Sequence, residues 1–396
     1  MPRFEPFSAL RYAPDLPLDR VAAPPYDVLD DRDISRLRAL DPRNIVHVDV
    51  PLESDGPSRY RVAADLLATW VADGVMVGDP RPSFTVYRME FTDAAGTARS
   101  TVGVLGALEV VDEGAGGVLP HERTTPKAKS DRLDLTRATS ANLSPVWGLS
   151  LATGLTDLLR EPGTEVGRCL DEQGVVHTVE RIDDPERIDA ISRLVGSGDV
   201  LIADGHHRYA ISRTYRDEVR AAHGGGAGDA ELTLTYVAEL IEEQLSIDAI
   251  HRLYSRCSAH DLLDVLSRSF VLEPAGTVHP GHIAEMRLRG ALCLVDGNGL
   301  GTWLTPRPDA FAGVRDLDGA LLEHALRDTD IDVTYQHGLE QVLHVLQSGG
   351  AQAAVLIRPT GIDEIRRTAA ERLLMPPKST FFTPKLRTGL VVRPLR

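Results

Sequence analysis

The chain has 396 residues, of which 42% are hydrophobic and 26% are charged, and its formal net charge is −15 with a pI near 5.3. A length prior of roughly 150 residues per domain predicts two or three domains. The acidic balance opposes affinity for a nucleic acid backbone, and no apolar run approaches the ~18 residues of a membrane span. We therefore expect neither a nucleic acid nor a membrane as a partner.

Two further features of the sequence indicate the cytoplasm. Residues 1–16 contain prolines and acidic residues where a signal peptide requires an uninterrupted apolar stretch. The cysteines, Cys169, Cys257 and Cys293, are far apart and lack the spacing of a zinc site or a redox pair. We expect a cytoplasmic protein whose cysteines fill its core.

Residues 1–118 are expected to form an N-terminal α/β region. The proline-rich segment 22–27 should be extended, because proline fixes φ and restricts the residue before it. Apolar periodicity predicts one helix at residues 60–73 and three strands at 44–50, 83–91 and 101–111. The last two strands flank a short turn sequence at 93–96, as in a hairpin, so a mixed sheet is expected.

Residues 119–260 are expected to contain the functional domain. The segment 119–150 is polar and dense in titratable groups, and loops of that length are usually functional or disordered. The periodicity then alternates in the order strand 175–182, helix 184–195, strand 199–203 and a helix from Gly205. This alternation predicts a strand–helix–strand–helix unit.

Residues 261–396 are expected to form a C-terminal α/β region. Apolar spacing predicts helices at 262–269 and 362–374 and strands near 291–295 and 353–357. The predicted fold class is therefore α+β, with mixed α/β content, in three domains at 1–118, 119–260 and 261–396.

The sequence around Asp204 has the composition of an anion site. Val200–Ala203 should be a buried strand, Asp204 and Gly205 its exit, and His206 the start of a helix. Such a junction directs backbone N–H groups and the positive end of a helix at one point. Arg208 adds a guanidinium fork. Neighbouring helix positions face different ways, so we expect one of His206 and His207 to contact phosphate and the other to support the fold.

Asp204 has two interpretations from the sequence. It could orient a magnesium ion on bound phosphates, because Mg²⁺ prefers one or two carboxylates together with phosphate oxygens. Alternatively, it could be the N-cap of the helix that follows. Lys127 and Arg132, in a run of basic residues, are either phosphate ligands or part of a solvated loop. The chain contains no Walker motif, so the commonest nucleotide site is excluded.

The DGHHR turn at 204–208 resembles the phosphate-binding turn shared by ParB-type nucleotide proteins, sulfiredoxin and free-serine kinases. The chain also resembles the family catalogued as domain of unknown function 1015 over nearly its whole length. This resemblance depends on five segments in order: AAPPYDVL, NIVHV, LPHERTTPKAKSDRLDLTRATSANLSPVW, IADGHHRYA and MPPKSTFFTPKLRTGL. It implies a ParB/sulfiredoxin-like central domain with mixed sheets and flanking helices.

The resemblance to free-serine kinases implies phosphoryl transfer from ATP or ADP to a small hydroxylated metabolite, with Mg²⁺ as the cofactor. L-serine is the acceptor that this resemblance suggests. By the same resemblance, Gly205, His206, His207 and Arg208 match the turn that holds nucleotide phosphates, and Asp204 the metal ligand. Two alternatives stay open: phosphoserine hydrolysis, and a ParB-like regulatory module that binds nucleotide without catalysis. The sequence does not decide the oligomeric state, for which a homodimer is considered.

The remaining site predictions concern the catalytic base and the walls of the pocket. Asp204 and His206 are expected to take part in catalysis, and Glu122 and Glu180 are rival candidates for the base that the kinases provide as a glutamate. Either glutamate could instead be a surface residue. Asn142 is a substrate contact or a turn cap. Lys378, together with Lys385, would add a cation near phosphate, although the neighbouring aromatic residues also suit a packing role.

Overall fold

The computed structural model describes residues 1–93, 96–123, 129–226 and 228–395. The chain forms two compact units: unit 1 comprises Met1–Ser246 and Pro384–Arg396, and unit 2 comprises Ile247–Thr383. This division differs from the predicted one, because strands from both sides of residue 118 share one sheet in unit 1. The mixed helix and strand content agrees with the predicted α+β class.

Unit 1 is built on a nine-stranded mixed sheet. Its strands and the neighbouring short ones are β1 Phe4–Glu5, β2 Leu10–Tyr12, β3 Met76–Gly78, β4 Phe84–Thr92, β5 Ala98–Glu109, β6 Val118–Pro120, β7 Ala141–Asn142, β8 Val146–Ser150, β9 Thr164–Leu170, β10 Val176–Ile182, β11 Val200–Asp204 and β12 Leu232–Glu239. The order across the sheet is β6-β11-β8-β12-β5-β4-β10-β9, with β1 beside β5. The pairs β6–β11 and β8–β12 are parallel, and the other pairs along this order are antiparallel.

The helices of unit 1 are α1 Leu18–Val21, α2 Asp31–Leu40, α3 Val46–Asp49, α4 Arg59–Ala72, α5 Lys129–Thr139, α6 Leu155–Leu158, α7 Pro185–Val195 and α8 His206–His223. Helix α7 begins where its sequence predicts, because Asp184 accepts a hydrogen bond from the amide of Arg187 at 2.9 Å and Pro185 occupies the first turn. One core packs the sheet against α6 and α7, and a second core joins α2 to α5.

Most of the predicted elements of unit 1 are confirmed, including the 60–73 helix, the β4–β5 hairpin and the β10-α7-β11-α8 alternation. The strand predicted at 44–50 is wrong, because these residues form the short helix α3. Asn44 begins it by accepting a hydrogen bond from the amide of Val46 at 3.0 Å. Ile45, Val46 and Val48 are all buried, so the apolar pattern reflects burial on several sides. The polar segment 119–150 contains β6, α5, β7 and β8.

Unit 2 contains a six-stranded antiparallel sheet in the order β15-β17-β16-β19-β14-β18. Its strands are β13 Ser246–Asp248, β14 Ile250–Ser255, β15 Phe270–Thr277, β16 Leu292–Asp296, β17 Leu300–Pro306, β18 Asp332–His337, β19 Ala353–Leu356 and β20 Phe381–Thr383. Its helices are α9 Ala259–Leu266, α10 Gly281–Arg289, α11 Asp318–Leu326, α12 Leu339–Gln347 and α13 Ile362–Ala370. Two apolar cores form, one with α9 and α11 and the other with α10 and α12.

The chain returns to unit 1 through residues 384–395, which include the short strand β21, Arg393–Pro394. Strand β21 pairs antiparallel with β7, and Val392 forms a bridge with Leu10. The amide of Thr388 donates to the carbonyl of Ala23 at 2.8 Å. This C-terminal segment is therefore fixed to the N-terminal part of unit 1 by backbone hydrogen bonds, which matters for the position of Lys385.

Candidate phosphate-binding site

The DGHHR turn joins the buried strand β11 to the first turn of α8, as predicted from its sequence. Gly205 is the N-cap residue and has φ +82°, a conformation that favours glycine. A Cβ at this position would lie 3.3 Å from Val146 Cα and from Arg208, so a larger residue would meet the backbone of β8. The N-cap interpretation of Asp204 is not observed, since Asp204 precedes the cap.

Asp204 lies between two cations. Its Oδ2 atom is 3.1 Å from a terminal nitrogen of Arg208, and its Oδ1 atom is 3.4 Å from Lys385 Nζ. The same Arg208 nitrogen donates to Asp27 Oδ2 at 3.0 Å. The side chains of Asp204 and Asp27 are 27% and 39% exposed, so both carboxylates can be reached from solvent. The resulting cluster of Asp27, Asp204, Arg208 and Lys385 is called the carboxylate–cation cluster below.

The charges of this cluster determine the ionisation of Asp204. Partial burial disfavours its carboxylate, but Lys385, Arg208 and His206 outweigh that effect and hold the pKa of Asp204 well below its usual value. The pKa of Arg208 is raised, because Asp27 and Asp204 outweigh the cost of burying the guanidinium. At neutral pH the cluster therefore presents two carboxylates and two cations beside the N-terminus of α8.

Arg208 is held firmly in this position. Its side chain is 9% exposed, and its guanidinium donates to the carbonyl of Pro145 and lies 5.9 Å from the centre of the Tyr26 ring. Arg132 lies over the same ring at 4.2 Å. Both arginines line a cavity of about 50 Å³. Arg132 and Arg208 therefore line the same cavity, although they are far apart in the sequence.

Asp49 forms the inner wall of that cavity. The residue is buried, and its Oδ1 atom is 3.4 Å from Arg132, whose guanidinium also donates to the Asp49 carbonyl. Burial raises the pKa of Asp49, although Arg132 and Arg208 oppose this effect. Ser144, at 3.4 Å from Asp49 Oδ2, completes this wall.

Two histidines lie against the junction. The ring centres of His121 and His206 are 4.9 Å apart, and His121 Nδ1 is hydrogen-bonded to the carbonyl of Ile202 in β11. His121 is buried, and this burial lowers its pKa to about 4, so the ring is neutral at pH 7. Glu122 follows, with Oε2 at 3.9 Å from His121 Nε2. His207, in the first turn of α8, is half-buried.

Of the remaining residues predicted for the site, Glu180 lies elsewhere in unit 1. Glu180 is on β10, where it pairs with Arg88 at 3.0 Å and accepts from the amide of Gly163 at 3.0 Å. Between β10 and β11 lie β4, β5, β12 and β8, so at roughly 4.8 Å per strand the two strands are separated by more than 20 Å. Lys378 belongs to unit 2, and Lys127 lies outside the described residues.

Asn142 lines the same cavity, and its side chain also makes a hydrogen bond that supports the fold. Its side-chain oxygen accepts a hydrogen bond from the amide of Leu234 at 3.0 Å and is 3.4 Å from Arg393. The amide of Leu234 belongs to β12, so Asn142 joins a short strand to the large sheet. The contact supports the fold, but it links two strands and is not the turn cap raised as the alternative from the sequence.

Sequence reasoning did not identify Asp27, Tyr26 or Asp49 as site residues. Tyr26 and Asp27 belong to the segment AAPPYDVL, and Asp49 closely follows NIVHV, so two of the five resembling segments supply them. The family resemblance of those segments was the available signal, but Asp27 lies 177 positions and Asp49 lies 155 positions before Asp204 in the chain (204 − 27 and 204 − 49). Lys385 was named from the sequence only as a companion of Lys378.

Within the part of the chain that the structure describes, no group of three or more His, Cys, Asp or Glu side chains is arranged to hold a metal ion. Among the same residues, no helix is long and apolar enough to cross a membrane.

Comparison with solved structures found distant likenesses. A conserved hypothetical protein from Pyrococcus furiosus is 10% identical with a TM-score of 0.37, covering 69% of this chain and 92% of that one. A free serine kinase in complex with AMP is also 10% identical with a TM-score of 0.37, covering 69% and 89%. SbnI with a C-terminal truncation, from Staphylococcus aureus, is 12% identical with a TM-score of 0.39, covering 74% and 87%.

No curated protein matches the sequence significantly. The family model described as "Protein of unknown function (DUF1015)" matches residues 4–320, well over half of the 396 residues. The chain therefore belongs to the DUF1015 family.

Proposed function

We propose that this protein is a phosphotransferase that moves a phosphoryl group from ATP or ADP to a small hydroxylated acceptor, with L-serine as the first acceptor to test. The carboxylate–cation cluster carries the proposal: a reachable carboxylate lies between Arg208 and Lys385 at the start of α8. Phosphoryl transfer depends mainly on positioning and on charge stabilisation, which this cluster supplies.

The cations of the cluster fit the phosphate groups of a nucleotide. Arg208 offers a planar fork that suits phosphate oxygens, and Lys385 offers a point charge on the other side of Asp204. The first turn of a helix leaves amides without an intrahelical acceptor and carries a positive partial charge. The cavity of about 50 Å³ holds only a few water molecules or a small group, so most of a nucleotide would lie outside it.

Asp204 is the residue that would hold Mg²⁺. Its carboxylate is ionised because the neighbouring cations lower its pKa, and one carboxylate with phosphate oxygens is an arrangement that Mg²⁺ accepts. When bound, the ion neutralises negative charge on the phosphoryl group. In this proposal His206, beside Asp204 and His121, contributes a further hydrogen-bond donor to the phosphates.

Asp27 is the carboxylate we assign to the acceptor side. It is 39% exposed and is oriented by Arg208 at 3.0 Å, so it can accept the proton of a hydroxyl group held beside the phosphates. In the reaction, the acceptor oxygen forms a bond to phosphorus, the bond from phosphorus to the leaving nucleotide breaks, and the hydroxyl proton passes to Asp27. Glu122, next to His121, is the second candidate for this role.

The first experiment is a thermal-shift measurement on the full chain with ATP, ADP and AMP, each with and without Mg²⁺. A ligand that binds only the folded protein raises the midpoint in proportion to the logarithm of its concentration. Formation of phosphoserine from L-serine and the best nucleotide is then followed by phosphorus NMR. Absence of any nucleotide-dependent shift at millimolar concentration would contradict the proposal.

Two matched variants separate the candidate bases. Asp27→Asn should lower the turnover number while nucleotide binding is retained, and Glu122→Gln should have little effect if Asp27 is the base. The reverse pattern would assign the role to Glu122. Phosphate release from phosphoserine without nucleotide would replace transfer by hydrolysis, and nucleotide binding without either reaction would indicate a regulatory module.

A further inference from the structure

Strand β18 forms one edge of the six-stranded sheet in unit 2. Within the part of the chain that the structure describes, no strand pairs with this edge, and β18 pairs only with β14 in a continuous antiparallel register. Five of its six residues, all except Gln336, are exposed. Along residues 332–336 the outward backbone N–H and C=O groups are not used by another strand of the described sheet, and such groups can pair with a further strand.

The other long edges of the two large sheets are protected. Edge strand β15 contains Pro274 and an irregular register between Pro274 and Gly276, both of which interrupt pairing. Edge strand β9 contains charged Glu165 and Arg168, and Leu18 of α1 packs against its Gly167. In contrast, β18 has neither proline, lysine nor a bulge, so the usual devices against edge pairing are missing from it.

The side chains of β18 are also suited to a partner strand. Val333 and Tyr335, two residues apart and hence on the same face, are 39% and 37% exposed. Tyr335 is held in place by the guanidinium of Arg252, which lies 4.9 Å from its ring centre. Asp332 is paired with Arg256 at 2.9 Å, so the carboxylate in the strand has a cation beside it.

We propose that two copies of this chain associate by antiparallel pairing of their β18 strands, which joins the two six-stranded sheets into one. Two identical strands paired antiparallel in a sheet are related by a two-fold axis perpendicular to it. Such an axis keeps each face on the same side in both copies. Residues that lie opposite each other in the dimer must therefore have their side chains on the same face of the sheet.

The sequence of β18 favours one register among those that symmetry allows. With the axis at Thr334, Val333 lies opposite Tyr335 of the second copy, and Tyr335 lies opposite Val333 of the second copy. Pairs of an aromatic and a β-branched residue are among the stabilising cross-strand pairs. Each exposed apolar side chain of the strand is then covered by its counterpart, and Thr334 faces Thr334 on the other side of the sheet. This self-complementarity is the reason for naming a second copy as the partner.

The register predicts a sharp test at the symmetry axis. Thr334 is exposed, so Thr334→Lys should leave the folded monomer intact while placing two like charges directly opposite each other in the dimer. Thr334→Glu should do the same. An equimolar mixture of the two variants places lysine opposite glutamate and should restore association. Val271→Lys is the matched control, because Val271 is an exposed valine on the protected edge strand β15.

Sedimentation velocity on the full chain, up to about 100 μM to include weak contacts, measures the outcome. We expect wild type and Val271→Lys to approach twice the 43.1 kDa chain mass, each Thr334 variant to remain monomeric, and the mixture to dimerise. Circular dichroism and the thermal midpoint check that the Thr334 variants are folded. A monomeric wild type, a dimeric Thr334→Lys, or a mixture that stays monomeric would each overturn the proposal.

Discussion

Strands β10 and β11, each next to one end of the large sheet in unit 1, both carry a carboxylate, but the two carboxylates have different surroundings. On β10, Glu180 is 8% exposed, and its oxygens accept hydrogen bonds from Arg88 and from the Gly163 amide. On β11, the Asp204 carboxylate has two cations near it, is 27% exposed and lies at the start of a helix. A buried carboxylate whose hydrogen bonds are all made within the protein supports the fold. A solvent-exposed carboxylate with several cationic groups beside it can instead bind a ligand.

The same contrast holds for the histidines near these carboxylates. His177 on β10 is hydrogen-bonded on both ring nitrogens, to Tyr87 at 2.7 Å and to Asp171 at 3.0 Å, and it is fully buried. His206 begins α8 beside Asp204 and is half-buried. Titratable residues alone therefore do not distinguish a site from a structural network. Exposure and the partners of each group distinguish them.

The largest expected effect comes from Asp204→Asn. The substitution keeps the size of the side chain but removes the charge that would hold Mg²⁺, so we expect a loss of ~10²–10³-fold in the turnover number for phosphoryl transfer. Circular dichroism should show an unchanged fold. Glu180→Gln is the control at the other end of the sheet and should retain the wild-type rate. Full activity in Asp204→Asn would contradict the metal assignment.

A smaller effect is expected from Arg208→Lys. Lysine retains the charge but cannot contact Asp27, Asp204 and the Pro145 carbonyl with one planar group. We expect a loss of at least ~10-fold in kcat/KM for the nucleotide, equivalent to about 1.4 kcal/mol. The matched change Arg88→Lys, at the partner of Glu180, should leave kcat/KM unchanged. Equal losses of kcat/KM in Arg208→Lys and Arg88→Lys would show that the two arginines do not differ in their effect on activity.

The free energy of unfolding should change more in Glu180→Gln than in Asp204→Asn, which is the opposite of the order expected for activity. Glu180→Gln removes the charge of a buried acceptor that binds Arg88 and the Gly163 amide, so we expect the free energy of unfolding to fall by about 1–3 kcal/mol. Asp204→Asn should change it less, because Asp204 is partly exposed. Urea unfolding of both variants at pH 7 provides the comparison. A larger loss of stability in Asp204→Asn would mean that the cluster is mainly structural.

The smallest effect concerns pH and His121. Its folded pKa of about 4 lies below the usual 6.5, so the unfolded chain binds a proton first as the pH falls. The stability that the neutral ring contributes is therefore present above about pH 6.5 and is lost as the pH falls toward 4. Between pH 7 and pH 5, wild type should lose about 2 kcal/mol more than His121→Gln. Identical losses would show that the ring is reachable by protons in the folded state.

The junction at Asp204 could be predicted from its sequence because it depends on neighbours in the chain. An apolar run followed by Asp204, Gly205 and an amphipathic segment specifies a strand, a left-handed glycine and a helix within a few residues. The strand prediction at 44–50 failed because alternation was taken as a sign of one buried face. Those residues are buried on several sides, and the Asn44 side chain begins a helix there.

The members of the carboxylate–cation cluster could not all be predicted, because the chain brings them together from distant positions. Asp27 lies 181 residues before Arg208, and Lys385 lies 181 residues after Asp204 (385 − 204). Glu180 is only 24 positions before Asp204, yet it is four intervening strands away across the sheet (204 − 180). Sequence proximity therefore made Glu180 a rival candidate to Glu122, whereas strand order decided which carboxylates meet.

By itself, the sequence determined the acidic composition, the α+β class and the strand–glycine–helix turn that forms an anion site, because each depends on composition or on local conformational preference. Only the tertiary structure decided that Asp27 and Lys385 join Arg208 and Asp204, and that β18 is an edge strand of the sheet in unit 2. Such contacts depend on the order of strands and on the path of the chain between them. Local periodicity carries no information about either, since many strand orders satisfy the same pattern of buried and exposed residues.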